Sequence, residues 1–114
     1  MRTARLFAAM AAMAGASLAS GQVPAGDAGR GSEKVQMCQG CHGIPGYKTA
    51  FPAVYHVPKL GGQNPDYFVK ALQAYKSSER SHPTMRAIAA GLSEQDMADL
   101  AAYYAAEDTK TAAK

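Results

Sequence analysis

The chain has 114 residues, with twelve Lys and Arg against nine Asp and Glu, for a formal net charge of +3. Arg2 and Arg5 stand at the extreme N-terminus. Without them ten basic residues face nine acidic ones, a balance of +1 with no basic run, which excludes an electrostatic nucleic-acid binder.

Met1, Arg2 and Arg5 precede an uncharged stretch from Leu6 to Ala19, the pattern of a basic n-region followed by an apolar h-region. Ser17-Leu18-Ala19 places small residues for cleavage before Ser20, and Ala19-Ser20-Gly21 offers a second choice two residues later. A spanning helix needs roughly 20 apolar residues. This stretch is shorter and alanine-rich, so residues 1–19 are expected to be a cleaved signal peptide directing the chain to the periplasm, with no transmembrane span left behind, an uncleaved anchor being the lesser alternative. The remainder divides into a flexible segment 20–28, one domain over 29–107 and a polar tail 108–114. A domain of this size builds only a marginal core and usually leans on a disulfide, metal or cofactor.

The first helix is expected from about Gly29 to Met37 and leads directly into Cys38-Gln39-Gly40-Cys41-His42. Two thiols separated by two residues can each add across a haem vinyl group, and the adjacent His can ligate the iron. A CxxC pair also serves as a thiol–disulfide centre or as half of a zinc site. Zinc wants four ligands, and the chain has no second CxxC or paired His; the thiol–disulfide fold wants a βαβ pattern and a longer chain. With both cysteines in one CxxC, no disulfide can close a long loop, so a covalently held haem would complete the core.

From Gly43 to Gly62 the sequence turns to Gly, Pro and aromatic residues without a sustained period, which predicts a long ordered loop. Asn64 as N-cap with Pro65 at the first helical position opens a second helix, in which Phe68, Leu72 and Tyr75 share a face. Ser78 to Pro83 break the pattern. A short turn from Met85 to Ala90 stops at Gly91, and Ser93 with Asp96 forms a capping box for a last helix reaching about Ala106. Met97, Leu100, Ala101 and Tyr104 form its inward stripe. No alternating strands are visible, and the class is all-α.

An iron that only passes electrons takes six ligands, so a side chain is required opposite His42. Met37 adjoins Cys38 and is tied to the same side. Met97 lies on the apolar stripe of a capped helix, where methionine usually fills the core. His82, held extended by Pro83, reads as a loop hydrogen-bonding or exposed group, and His56 as a surface or packing residue. Met85 follows His82-Pro83-Thr84 between two helices, where a loop can carry its sulfur across the haem face; it is the expected ligand, against the alternative of a hydrophobic plug.

Taken in order, several features resemble class I c-type cytochromes, particularly the small bacterial monohaem carriers. They are Gly31 seven residues before Cys38, the Cys38–His42 motif with Gly43, Pro58-Lys59-Leu60-Gly61-Gly62-Gln63, Met85 and the Ser93–Tyr104 helix. The resemblance runs from Gly31 to about Ala106. It implies three to five helices around one covalently bound haem c, the first and last crossing nearly at a right angle, with Gly31 permitting close approach and Tyr103 or Tyr104 packing into the crossing. It also implies that the Pro58 carbonyl accepts from His42 Nδ1–H and fixes the ring. Many relatives have a shorter interval after the haem motif; the inserted Tyr47, Phe51 and Tyr55 would cover a haem edge or form a cluster of their own.

The expected function is non-enzymatic: a periplasmic one-electron carrier in which both axial positions are filled, by His42 and Met85, and the iron cycles between Fe(III) and Fe(II). The alternatives are a small cytochrome subunit of a dehydrogenase or oxidase complex, and a haem sensor or enzyme with a displaceable Met85. Expected partners are redox proteins such as a periplasmic dehydrogenase, a quinol-oxidising complex or a terminal oxidase. Lys48, Lys59, Lys70, Lys76, Arg80 and Arg86 would either steer an acidic partner or form an ordinary solvated surface.

Overall fold

The computed structural model describes residues 22–50 and 54–111, with side chains through residue 107. The expected signal segment, Phe51 and the end of the tail lie outside these residues.

Asp27 opens the first helix, α1 (Ala28–Lys34), by accepting the Arg30 N–H at 2.8 Å. The single helix expected over Gly29–Met37 is two. At Val35 the chain stays right-handed but re-starts as α2 (Gln36–His42), with the amides of Cys38 and Gln39 both bonded to the Val35 carbonyl at 2.9 Å. The re-start places the whole haem motif on its own short helix.

The interval after α2 carries a small element that the sequence hid. Strands β1 (Lys48–Thr49) and β2 (Tyr55–His56) pair antiparallel, Lys48 opposite His56 and Thr49 opposite Tyr55. Two residues per strand are too few to show alternation, so periodicity could not reveal them.

Helix α3 (Pro65–Lys76) starts as expected: the Asn64 side chain accepts the Tyr67 N–H at 3.0 Å, and Pro65 takes the position that needs no donor. Phe68, Val69 and Leu72 are buried and Tyr75 packs against the core. The expected short turn is a full helix, α4 (Pro83–Ala90), capped by His82 and ended by Gly91. Met85 therefore lies in the first turn of a helix and not in a loop. The capping box before α5 (Glu94–Thr111) is reciprocal, with Ser93 N–H on Asp96 Oδ2 at 2.9 Å and Asp96 N–H on Ser93 Oγ at 3.1 Å. The helix runs several residues past Ala106.

Helix α5 is the spine. Met97, Leu100, Ala101 and Tyr104 are buried on it, against Phe68, Val69 and Leu72 of α3, Ala89 of α4 and Val35 at the α1–α2 junction. On its other side α1 approaches so closely that a Cβ on Gly31 would collide with the Asp99 carbonyl and stand 2.8 Å from the Tyr103 Cβ. Asp99 is fully buried there. It accepts the Asp27 amide at 2.9 Å, Arg30 Nε at 3.0 Å, Lys34 Nζ at 2.9 Å and Gln95 Nε2 at 2.9 Å. Those hydrogen bonds, led by Arg30, hold its carboxyl far below the usual carboxylate range. Lys34 also reaches Asp96 at 2.7 Å and, with the Ser93 contacts, brings that carboxyl down to about 2.

Candidate functional site

Helical spacing on α2 puts Cys38, Cys41 and His42 on one side, at i, i+3 and i+4. All three line a cavity of about 650 Å³ enclosed by α2, the 55–63 segment, α3 and α4. His42 is oriented from behind: its Nδ1 lies 2.6 Å from the Pro58 carbonyl oxygen, an approach that suits N–H donation and would leave Nε2 available for coordination. The half-buried side chain of Met85, from the first turn of α4, lines the same cavity. Leu60, Phe68, Leu72 and Ile88 supply much of its apolar wall.

Of the other candidates for the position opposite His42, Met37, His56 and His82 also border the cavity. Met97 does not: it is fully buried in the α5 core. His82 Nδ1 is engaged, accepting the Met85 backbone N–H at 3.2 Å. Met37 is half exposed on α2, one residue from Cys38.

Cys38 and Cys41 form no disulfide, and Cys38 packs against the core. Burial pushes the Cys38 thiol up, a shift only partly countered by the neighbouring Tyr104 hydroxyl. Burial likewise pushes the Tyr104 phenol up; its hydroxyl makes no hydrogen bond of full geometry among the described residues. A thiol–disulfide centre needs the opposite, a thiol made acidic by its surroundings. Nor do three or more His, Cys, Asp and Glu side chains gather into a metal-binding cluster among the described residues, as a tetrahedral zinc site of that kind would need. The donor set fits haem instead: two thiols, an imidazole and a thioether line one largely apolar cavity, within the roughly 300–1,000 Å³ range of cofactor sites.

Three features of this neighbourhood escaped the sequence reading. The His82 cap was signalled by its place directly before a helix-opening proline. The contact of its ring with Tyr55, centroids 5.1 Å apart, had no local signal because it joins the hairpin to α4. The Asp99 hub had no local signal, because Asp99 lies off the apolar stripe of α5, against α1, and its partners Arg30 and Lys34 are remote in sequence.

The sequence pattern of the cytochrome c family matches residues 28–105. Cytochrome c-554(548) of Halomonas halodenitrificans is 38% identical over 87 residues, covering 74% of this chain and 100% of that protein. Cytochrome c4 of Pseudomonas aeruginosa is 39% identical over 83 residues, which are 73% of this chain but 39% of the relative. The crystal structure of reduced recombinant cytochrome c4 from Pseudomonas stutzeri superposes with a TM-score of 0.59 at 36% identity, over 73% of this chain and 46% of that one. The chain thus spans the full length of one relative and under half of the cytochromes c4. It belongs to the cytochrome c family, as a class I c-type cytochrome that carries electrons on one covalently bound haem c.

Proposed function

We propose that the mature chain is a periplasmic one-electron carrier, with thioether links at Cys38 and Cys41 and with His42 and Met85 as the two axial ligands of the haem iron. The observation that supports this reading is the cavity itself, which Cys38, Cys41, His42 and Met85 all line. When bound, the haem supplies a reversible one-electron change at iron. His42 and Met85 would hold the iron from the protein side, so that no site would be left for oxygen or peroxide and little would rearrange as the charge changes. No enzymatic step is assigned to it.

Each residue has a separable task. The Pro58 carbonyl, 2.6 Å from His42 Nδ1, keeps the imidazole in one tautomer and makes Nε2 a better donor. A neutral thioether from Met85 favours the ferrous state, and the apolar wall of Leu60, Phe68, Leu72 and Ile88 further disfavours the extra positive charge of the ferric form. Residues 1–19 serve as the export signal that brings the chain to the compartment where thioether bonds are made. Among the described residues no helix is long and apolar enough to cross a membrane.

The deciding experiment is Met85→Ala in the mature holoprotein. The weak red charge-transfer band of methionine-bound ferric haem should vanish and the reduction potential should fall, with the covalent haem mass retained. Persistence of that band would remove Met85 as ligand. The alternative reading is a small cytochrome subunit docked on a dehydrogenase or oxidase complex. Size-exclusion of the native periplasmic form separates the two, because a free carrier elutes at the monomer's mass.

A further inference from the structure

The first turn of a helix has four backbone amides without intrahelical partners, and Met85 contributes one of them, at the third position of α4. Its N–H is taken by a side chain: His82 Nδ1 accepts it at 3.2 Å, with the His82 backbone extended at φ −159° and ψ 105°. Ser, Thr, Asp and Asn are the usual residues for this task. Imidazole is a bulkier choice, and its bulk is used. The ring lies against Tyr55 of β2, centroids 5.1 Å apart, and edge-on to Tyr75 of α3 at 6.4 Å. Tyr75 is in turn covered by the Arg80 guanidinium, 4.6 Å from its ring centroid. Two elements besides α4 therefore fix where this cap can sit.

From this geometry we infer that His82 is a positioning residue for the electron-transfer centre, holding the backbone of Met85 so that its sulfur stays directed into the cavity. Cap and anchored residue are the same pair: the amide that His82 fixes belongs to Met85 itself. The Tyr55 and Tyr75 contacts stop the ring from swinging, and Pro83 at the first helical position leaves the turn little freedom of its own. The inference rests on Met85 being the axial ligand.

The test compares His82→Ala with His82→Asn in the haem-loaded protein, because Asn restores a side-chain acceptor at the cap. Three quantities are read: hydrogen exchange of the Met85 amide in the ferrous form, the red charge-transfer band, and the reduction potential. For His82→Ala, Met85 exchange should accelerate roughly five-fold, the balance between methionine-bound and methionine-free ferric iron should shift by a similar factor, and the potential should drop. In His82→Asn all three should return toward the parent values. Faster exchange with band and potential unchanged would overturn the proposal, leaving His82 a cap and nothing more. So would Asn restoring amide protection without restoring the band. If His82→Ala fails to fold, His82→Asn against His82→Gln gives the same comparison, since the longer Gln is a poor cap. Should Met85→Ala keep its band, the ligand assignment itself has failed, a result distinct from any of these.

Discussion

The α1–α5 crossing and the pocket face of the molecule are built on opposite principles. At the crossing, backbone meets backbone over Gly31, and a fully buried Asp99 is satisfied by an amide, a guanidinium, an ammonium and a carboxamide. Every polar demand there is met by protein atoms. The pocket face instead presents apolar side chains together with Cys38, Cys41, His42 and Met85 to a shared cavity, with Met37, Tyr55 and Tyr67 left substantially exposed at its border. The crossing is a self-contained scaffold, whereas the pocket is arranged around the group it holds.

The most severe way to break this contrast is to remove that group. Cys38→Ala with Cys41→Ala should abolish the covalent haem mass increment and, in a domain this small, remove most of a folding margin of about 5–15 kcal/mol. Thermal melting followed by circular dichroism should lose its cooperative transition. A transition preserved near the parent temperature would mean that the crossing sustains the fold alone. The next effect belongs to the crossing. Gly31→Val drives a branched side chain into the Asp99 carbonyl, and overpacking against backbone should cost about 3 kcal/mol in denaturant unfolding. Gly40→Ala, on the pocket helix, is the matching control. Nothing lies within 4 Å of its added Cβ, so better helix propensity should leave stability unchanged or raise it by about 0.5 kcal/mol.

The two regions also differ in how plainly the sequence announces them. Cys38, Cys41 and His42 are adjacent in the chain, and the Asn64 and Ser93 caps are read from a few neighbours, so the attachment motif and two helix starts were legible. Pro65 and the Met97–Tyr104 stripe extended that reading to the spine. The break at Val35 and the hairpin were not legible, and the helical setting of Met85 was signalled only by Pro83 directly after His82. Val35 keeps a right-handed backbone, and the strands are too short for a period. The Met85 turn is capped by a residue outside the usual capping set. Asp99 illustrates the same limit, since its ion pairs join residues more than sixty positions apart.

A gentler break of the crossing uses acid. The folded carboxyls of Asp96 and Asp99 are depressed, to about 2 for Asp96 and further for Asp99, whereas an unfolded Asp titrates at about 3.9. The unfolded chain therefore binds more protons in this window. The stabilisation is fully present above about pH 4 and is lost as pH falls through the folded values. Denaturant midpoints measured from pH 6 down to pH 2 should show that acid limb in the parent and a flatter one in Asp99→Asn, which starts from a lower stability at neutral pH. Equal slopes would show that the hub does not couple protonation to folding.

The smallest expected effect lies on the pocket side, in the connector that carries Arg80 and His82. Ser78 follows the α3 C-cap with φ 70°, a left-handed conformation that helices usually end on with glycine. For a residue with a Cβ this costs roughly 1 kcal/mol, and glycine would remove that cost while adding about 0.5 kcal/mol of unfolded-state entropy. Ser78→Gly should therefore stabilise by about 0.5 kcal/mol, and Ser78→Val, with branching at Cβ, should destabilise by about 1 kcal/mol. Both are measured by chemical denaturation of the holoprotein. Because the φ change acts on the connector and not on the α1–α5 contacts, neither variant should alter the acid limb set by Asp99. If Ser78→Gly shifts that limb, the two regions are mechanically coupled through α3, and the scaffold is less self-contained than its close packing indicates.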